Sequence, residues 1–331
     1  MEEKQPLVSI ISGYYNRENY VDESILSLIN QTYEHIEIII FDDLSTDNTY
    51  EKLRVFEEKD SRVKVIRHEK NKGFVKGLID AIAVSKGDYI AIHGSGDFSY
   101  PERINEQVEI LNLHQGVGVV GCTIENLDLI KSGNSYSHSA KIEGKAFFGN
   151  AREILAKKNM FSHGEVMIRR KHYDMVGGYR DIYKFSQDYD LWCRMSFVCD
   201  FYIVPKLLYR RYILSDGASF VFNKVLIQRM LAEFIRQSQE SRLTNPKADL
   251  VDRYGSQGFF FFEYTKVFFK NLYPAIINEF VSEVKSEDRK IVRHLISRTP
   301  TSIYTFLAYV YYFVLPKKVA LSIINLRNKT K

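Results

Sequence analysis

Cysteine is scarce. The 331 residues hold three, Cys122, Cys193 and Cys199. They are odd in number and lack CxxC or Cys/His metal spacing, so neither a disulfide framework nor a zinc site organises the chain; they read as interior thiols. Long apolar runs are missing too. No stretch reaches the roughly 18 uncharged apolar residues that a membrane span requires. The opening MEEKQPLVSI has acids where a secretory signal has a basic n-region, so a cytoplasmic location is expected. Glycine fingerprints for phosphate are absent as well: no GxGxxG follows the first apolar run and no Walker sequence occurs. That argues against a dinucleotide oxidoreductase or a P-loop enzyme. Neither internal repeats nor low-complexity tracts are evident, and no acid occurs after Arg298.

What is present is ordinary globular composition, 45% hydrophobic and 26% charged, with 22 Tyr and 22 Phe. The length predicts one large α/β domain with an appended module. The net charge of +5 is unevenly placed: residues 221 to 331 carry 18 Lys and Arg against 9 Asp and Glu. Lys317, Lys318, Arg327, Lys329 and Lys331 follow an uncharged run, 302 to 315, that is apolar all round a helix and contains four tyrosines. Such a run either lies in a membrane interface or packs into the protein, and its basic flank favours peripheral contact with an anionic surface. A nucleic-acid partner is not expected, because base-reading motifs are missing and the aromatics there are embedded in apolar runs.

The first 123 residues alternate β-branched runs with helical patterns. Leu7 to Ser12, Ile36 to Asp42, Val63 to His68, Asp88 to His93 and Val117 to Thr123 read as strands of a buried, mostly parallel sheet flanked by helices. Ser45 or Asp47 caps a helix over 49 to 58, and Pro101 opens another. Residues 126 to 158 have weak periodicity and read as a surface excursion. After Ser219 long helical patterns take over, giving two regions, 1–220 and a helical, basic, aromatic-rich 221–331.

Ligands of parallel sheets bind at the carboxyl ends of the strands. At those ends stand Tyr14 to Arg17, the pair Asp42 and Asp43, and Asp97. Two acids at a strand end can accept hydrogen bonds from a base N–H and ribose hydroxyls, as a nucleoside requires, or they can cap the next helix.

These motifs resemble family 2 glycosyltransferases: V-S-I-I-S-G-Y-Y-N-R (Val8 to Arg17), N-Q-T-Y (Asn30 to Tyr33), D-D-L-S-T-D-N-T (Asp42 to Thr49) and N-K-G (Asn71 to Gly73). The likeness continues through H-G-E-V-M-I-R-R (His163 to Arg170), V-G-G-Y (Val176 to Tyr179) and Q-D-Y-D-L-W-C-R (Gln187 to Arg194), so that it covers about residues 6 to 220. It implies an A-type glycosyltransferase fold with a helical C-terminal extension and inverting transfer of a sugar from a nucleotide diphosphate donor, a UDP-sugar. The acceptor implied is a hydroxyl of a surface glycan or a lipid-linked precursor. By the same resemblance Asp43 holds the base or ribose, Tyr15 lies near the base, and Asp188 is the general base. His163 and Asp190 are candidates for the acceptor side. An inverting transfer needs one carboxylate within hydrogen-bond reach of the acceptor hydroxyl, opposite the leaving group.

The departures from the family pattern concern the metal. Where acids are usual around a divalent cation, this chain has Gly94-Ser95-Gly96-Asp97, and an Arg-x-His ending becomes Arg210, Arg211 and Tyr212. Asp97 is then the one metal ligand expected for Mg2+ or Mn2+, with substrate phosphate completing the shell. Alternatively the cations Lys72, Lys76, Arg210 and Arg211 neutralise the diphosphate. A rival reading is a non-catalytic, glycosyltransferase-like scaffold that binds a nucleotide sugar or glycan.

Overall fold

The computed structural model describes residues 5–132, 135–213, 222–281, 286–309 and 313. They form two compact units, one of residues 1–215 with 239–247 and the other of 216–238 with 248–331.

The first unit begins with β1 (Val8–Tyr14), α1 (Val21–Ile29), β2 (Ile36–Asp42), α2 (Thr49–Lys59), β3 (Val63–Arg67), α3 (Phe74–Val84) and β4 (Tyr89–His93). All seven residues of β1 and all five of β4 are buried, as expected of strands covered by helices on both faces. β2 pairs parallel with β1 and β3, and β1 pairs parallel with β4. The crossover helices are amphipathic. Ile25 and Leu28 of α1 and Leu53 and Phe56 of α2 join the same core as Ile10, Ile38 and Ile40, and each such burial stabilises by roughly 1.5–3 kcal/mol.

β5 (Phe98–Ser99), α4 (Arg103–Leu113) and β6 (Val117–Ser132) follow, then β7 (Ser135–Glu143), β8 (Phe147–Gly149), α5 (Arg152–Leu155), β9 (Met167–Arg169), α6 (Arg170–Met175), α7 (Gln187–Met195) and β10 (Asp200–Ile213). The strand order is β3-β2-β1-β4-β9-β6-β10-β5, with β7 on β6 and β8 on β10. The sheet is mixed: β9 runs antiparallel between β4 and β6, and β10 returns parallel to β6. The segment read as a surface excursion from 126 is in part a β-hairpin, with β6 extended to Ser132 and β7 antiparallel to it. Pro101 precedes α4 by two residues, and Glu102 occupies the N-cap position. All three cysteines are buried and unpaired by disulfides.

The second unit is helical. α8 (Phe222–Thr244), which belongs to it up to Ser238, is followed by α9 (Leu250–Tyr254), a 3-10 turn over Gly255–Phe261, α10 (Lys266–Val281), α11 (Ser286–Arg298) and α12 (Ile303–Tyr309). Its core contains Leu226, Phe268, Phe269, Leu272, Ile276 and Val292. α12 is not apolar on all sides in the same way. Tyr304, Leu307 and Ala308 pack on this core, whereas Ile303, Phe306 and Tyr309 are exposed. The basic end, Lys317 to Lys331, lies outside the described residues. Among the described residues no helix is long and apolar enough to cross a membrane.

Candidate active site

The carboxyl ends of β1, β2 and β4 and the loops around them bring most of the singled-out residues together. Two loops are laced across the ends of β1 and β2. Asn16 N donates to Ser45 Oγ (3.0 Å), Thr46 N to Asn16 Oδ1 (2.8 Å) and Glu18 N to Asp47 Oδ2 (3.2 Å). Asp47 Oδ1 also accepts from Thr49 N at 3.0 Å, so Asp47 organises the start of α2. Tyr15 projects from the end of β1 and is half exposed.

Asp43 is buried and already engaged. Its Oδ1 accepts from Lys72 N and stands the same 2.8 Å from His68 Nδ1, and its Oδ2 accepts from Gly73 N at 2.9 Å. The carboxylate therefore fixes the N-K-G loop against the end of β2, with about 1.5–3 kcal/mol for each bond to a charged group. Of the cations expected to meet phosphate, Lys72 Nζ pairs with Asp80 at 2.6 Å and Lys76 Nζ stands 3.7 Å from Asp181. Arg210 Nε donates to Glu125 at 2.7 Å and its NH2 donates to the Tyr100 hydroxyl at 3.0 Å, so its charge is already matched.

The turn after β4 is built around Asp97. Tyr209 OH donates to its Oδ2 (2.7 Å), and the backbone N of Tyr212 donates to its Oδ1 (3.0 Å). Burial pushes its carboxyl up to about 6 against the pull of those bonds. Gly94 N donates to the same Tyr209 hydroxyl at 2.9 Å. A Cβ at Gly94 would overlap Asp97 Oδ2, and one at Gly164 would overlap the Tyr209 hydroxyl. Gly96 has φ +91°, and a Cβ there would stand 2.7 Å from Tyr20 Cβ. Beneath the turn His93 Nε2 lies 2.9 Å from Ser24 Oγ and 3.1 Å from the Asp97 carbonyl. Burial, reinforced by Arg103, depresses its pKa to about 3, so the ring is neutral.

This arrangement does not fit a resident divalent ion. Each oxygen of Asp97 already accepts one hydrogen bond, a Cβ at Gly94 or Gly96 would clash with Asp97 or Tyr20, and among the described residues no three His, Cys, Asp or Glu side chains are grouped to hold a metal. Asp97, the metal ligand expected from the sequence, is held here by hydrogen bonds alone. The side chain is a structural acceptor locking β10 onto the turn.

The opposite wall comes from α7 and the 159–165 loop. Asp188, in the first turn of α7, is nearly buried, and its Oδ2 accepts from Asn159 Nδ2 at 2.8 Å. His163 Nε2 lies 2.7 Å from Tyr179 OH. Its ring is edge-on to Phe74 of α3 and tilted against Trp192. Burial lowers the His163 pKa, while the neighbouring charge of Asp188 opposes that shift. The structure thus brings His163 and Asp188 together. Glu165 holds the loop by accepting from Ser162 N (2.7 Å) and Ser162 Oγ (2.6 Å), and burial raises its pKa. Asp190 is placed differently. It is fully buried with Oδ2 on Arg194 (2.9 and 2.8 Å) and Oδ1 near Arg180 (3.4 Å) and Arg242 (3.9 Å). Its oxygens serve an ion-pair cluster.

Among the described residues four non-glycine residues have positive φ: Asn16, Leu44, His163 and Ser186, the residue at the N-cap of α7. All four sit in the loops just described, and backbone strain of about 1–3 kcal/mol per residue concentrates where geometry is functional. Sequence reasoning missed Asn159 and Tyr209. Asn159 lies where periodicity is weak and gave no signal; Tyr209 stands one residue before the Arg210-Arg211 pair, and its reach to Asp97 is a long-range contact.

The chain matches the family model of glycosyl transferase family 2 over residues 9–177. It is 34% identical over 194 residues to the putative glycosyltransferase EpsE of Bacillus subtilis (strain 168), covering 57% of this chain and 66% of that protein, just short of two thirds of its length. Among solved structures, TarS 1-349 of S. aureus in complex with UDP-GlcNAc is similar with a TM-score of 0.58 at 17% identity, covering 92% of this chain and 86% of the other. The mannosyltransferase PcManGT from Pyrobaculum calidifontis, in complex with GDP-Man and Mn2+, gives 0.53 at 14% identity, covering 98% and 88%. At these identities the likeness is one of fold, the A-type glycosyltransferase fold.

Proposed function

The chain belongs to glycosyl transferase family 2, and from that premise we propose that it is an inverting hexosyltransferase taking one sugar from a UDP-sugar. The acceptor is a hydroxyl of a surface glycan or of a lipid-linked precursor. The acceptor oxygen attacks the anomeric carbon, the bond to the diphosphate breaks, and UDP leaves with that bond's electrons. Asp188 takes the acceptor proton, and an α-linked donor yields a β-linked product.

One observation carries this reading: Asp188 is held from one side, by Asn159 on Oδ2. No other hydrogen bond engages the carboxylate among the described residues, and it shares its wall with His163. A carboxylate oriented by one donor keeps an oxygen for a substrate proton. Asp43 and Tyr15 at the ends of β2 and β1 are the nucleoside side of the same reading, which is supported by the fold it shares with a protein seen with UDP-GlcNAc. Acceptors carried on lipid are supported by the exposed Ile303, Phe306 and Tyr309 of α12, with peripheral contact at the cytoplasmic face of the membrane.

The test is a donor screen that reads released nucleotide in the presence of acceptor lipids and glycans, with Asp188→Asn beside the wild type. Turnover should fall about 10²- to 10⁴-fold in the variant, with nucleotide affinity kept within a few-fold. Full activity in Asp188→Asn removes Asp188 from the mechanism. Nucleotide binding without turnover on any donor and acceptor pair moves the protein to the scaffold reading.

A further inference from the structure

Of the four cations that flank the site, Arg211 is the one that makes no ion pair with a carboxylate among the described residues, although Glu143 and Asp97 are near enough to feel its charge. Its Nε is buried without a hydrogen bond, whereas Arg210, Lys72 and Lys76 face Glu125, Asp80 and Asp181. Leaving a charged donor buried and unsatisfied is costly, and each such group in a native structure asks for an explanation. A second orphan lies beside it. Asn126 is the register partner of Arg211 across β6 and β10, and its Oδ1 is also buried without a partner. Arg211 lines a cavity of about 190 Å³ together with Asn159, Ser162, Glu165, Glu143 and Gly144.

The cavity adjoins both halves of the site. Asn159 holds Asp188. Ser162 is two residues from Gly164, whose added Cβ would overlap the Tyr209 hydroxyl that ties Gly94 to Asp97. Arg211 is also close enough to act on the charge of Asp97. Arg211 therefore acts beside a turn whose positions 94 to 96 carry no acid and whose Asp97 is already hydrogen-bonded.

We infer that Arg211 binds the donor's diphosphate and takes over the charge neutralisation that a protein-bound divalent ion would otherwise supply. The inference rests on the proposed nucleotide-sugar reading. A guanidinium presents planar, paired donors that match phosphate oxygens, remains charged at any working pH, and sheds water more readily than an ammonium. As the bond to the sugar breaks, the negative charge arriving on the diphosphate meets a fixed positive charge. The unpartnered Nε gains its acceptor when the donor binds.

The experiment is calorimetry of UDP and of uridine on the full chain, in EDTA and in Mn2+, for wild type, Arg211→Gln and Arg211→Lys. Wild-type affinity for UDP should agree within about twofold between the two buffers. Arg211→Gln should weaken UDP about tenfold or more, as the loss of a charged hydrogen bond implies, and leave uridine within about twofold. Arg211→Lys should fall between, because it keeps the charge and loses the fork. Uridine binding reports an intact fold, so an Arg211→Gln that binds uridine like the wild type and also keeps wild-type affinity for UDP refutes a diphosphate contact. A tenfold gain for wild-type UDP in Mn2+ overturns the inference. If no uridine nucleotide binds wild type in either buffer, the donor reading fails first and takes this one with it.

Discussion

Replacing Asp190 by Asn separates structure from catalysis at the most heavily paired acid of the site. The carboxylate is fully buried, its bidentate partner Arg194 is 7% exposed in its side chain and Arg242 3%. Removing one member of a buried ion pair leaves an uncompensated charge, at a cost of about 3–5 kcal/mol. Asn keeps one acceptor oxygen, which can serve Arg194, but the amide nitrogen then faces Arg180 or Arg242 and the negative charge is gone. The lower end of that range, about 3 kcal/mol, is expected for Asn and the upper end for Ala. The chain has a built-in probe. Its single tryptophan, Trp192, is fully buried in α7, two residues from Asp190. With m near 2–3 kcal/mol/M in urea, the fluorescence midpoint should fall by about 1 M or more while the slope stays constant. Asp190→Asn held below its transition should still turn over donor. A variant with a wild-type urea midpoint and no catalysis would refute this account and restore Asp190 to the acceptor side.

Asp43→Ala should weaken nucleotide affinity by about 1–3 kcal/mol and also free the loop it holds through Lys72 N and Gly73 N; calorimetry with hydrogen exchange on residues 68 to 74 reads both, and unchanged values in both discard the role. Stability should depend on acid through two opposed groups: an unfolded His93 takes up a proton below 6.5 but the folded one only near 3, which costs up to about 1.4 kcal/mol per pH unit on acidification. Folded Asp97 takes up its proton near 6 and the unfolded one near 3.8, which offsets that loss between about pH 6 and 4. Asp97→Asn should remove the offset, so its urea midpoints should fall more steeply with acid than the wild type's over that interval, and parallel curves would contradict the assignment. Phe306→Asp on the exposed side of α12 should reduce flotation with anionic liposomes without altering the Trp192 transition; equal flotation would rule that side out as the contact.

The central strands β1, β2 and β4 were legible because they are buried on both faces, and continuous apolar runs such as Ile38 to Phe41 need no partner to be recognised. The β6–β7 hairpin was not legible for the opposite reason. It runs into exposed residues such as Ile142, and its pairing is with itself. Within the site, Asp188 and His163 were readable as residue types at motif positions, but the fate of Asp43 was not, since two of its three partners are backbone N–H groups of a loop 29 and 30 residues away. The distinction between Arg210 and Arg211 was hidden by geometry. β10 slips register against β6 between Val204 and Leu207 and again between Leu207 and Tyr209. Each irregularity can change the strand's parity, so alternation along the sequence does not say which arginine meets Glu125 and which lines the cavity with Asn159.

The same strand explains why acids are missing from the turn after β4. The Tyr209 hydroxyl occupies the space that a side chain at position 164 would need, and with Asp97 it also fills the space next to Gly94. An acid at position 94 would have to displace the carboxylate that anchors Tyr212 N and the phenol that anchors Gly94 N, leaving buried donors without acceptors. Glycine at 94 and 164, Tyr209 and the inward Asp97 are therefore one interlocked arrangement, and no single substitution converts it into a metal cradle. On the inference drawn for Arg211, the charge that such a cradle would have supplied comes from a side chain outside the lock. Arg211, two residues along β10 from Tyr209 and one before Tyr212, is placed by the lock itself, because the bonds from Tyr209 and Tyr212 to Asp97 pin the strand on both sides of it.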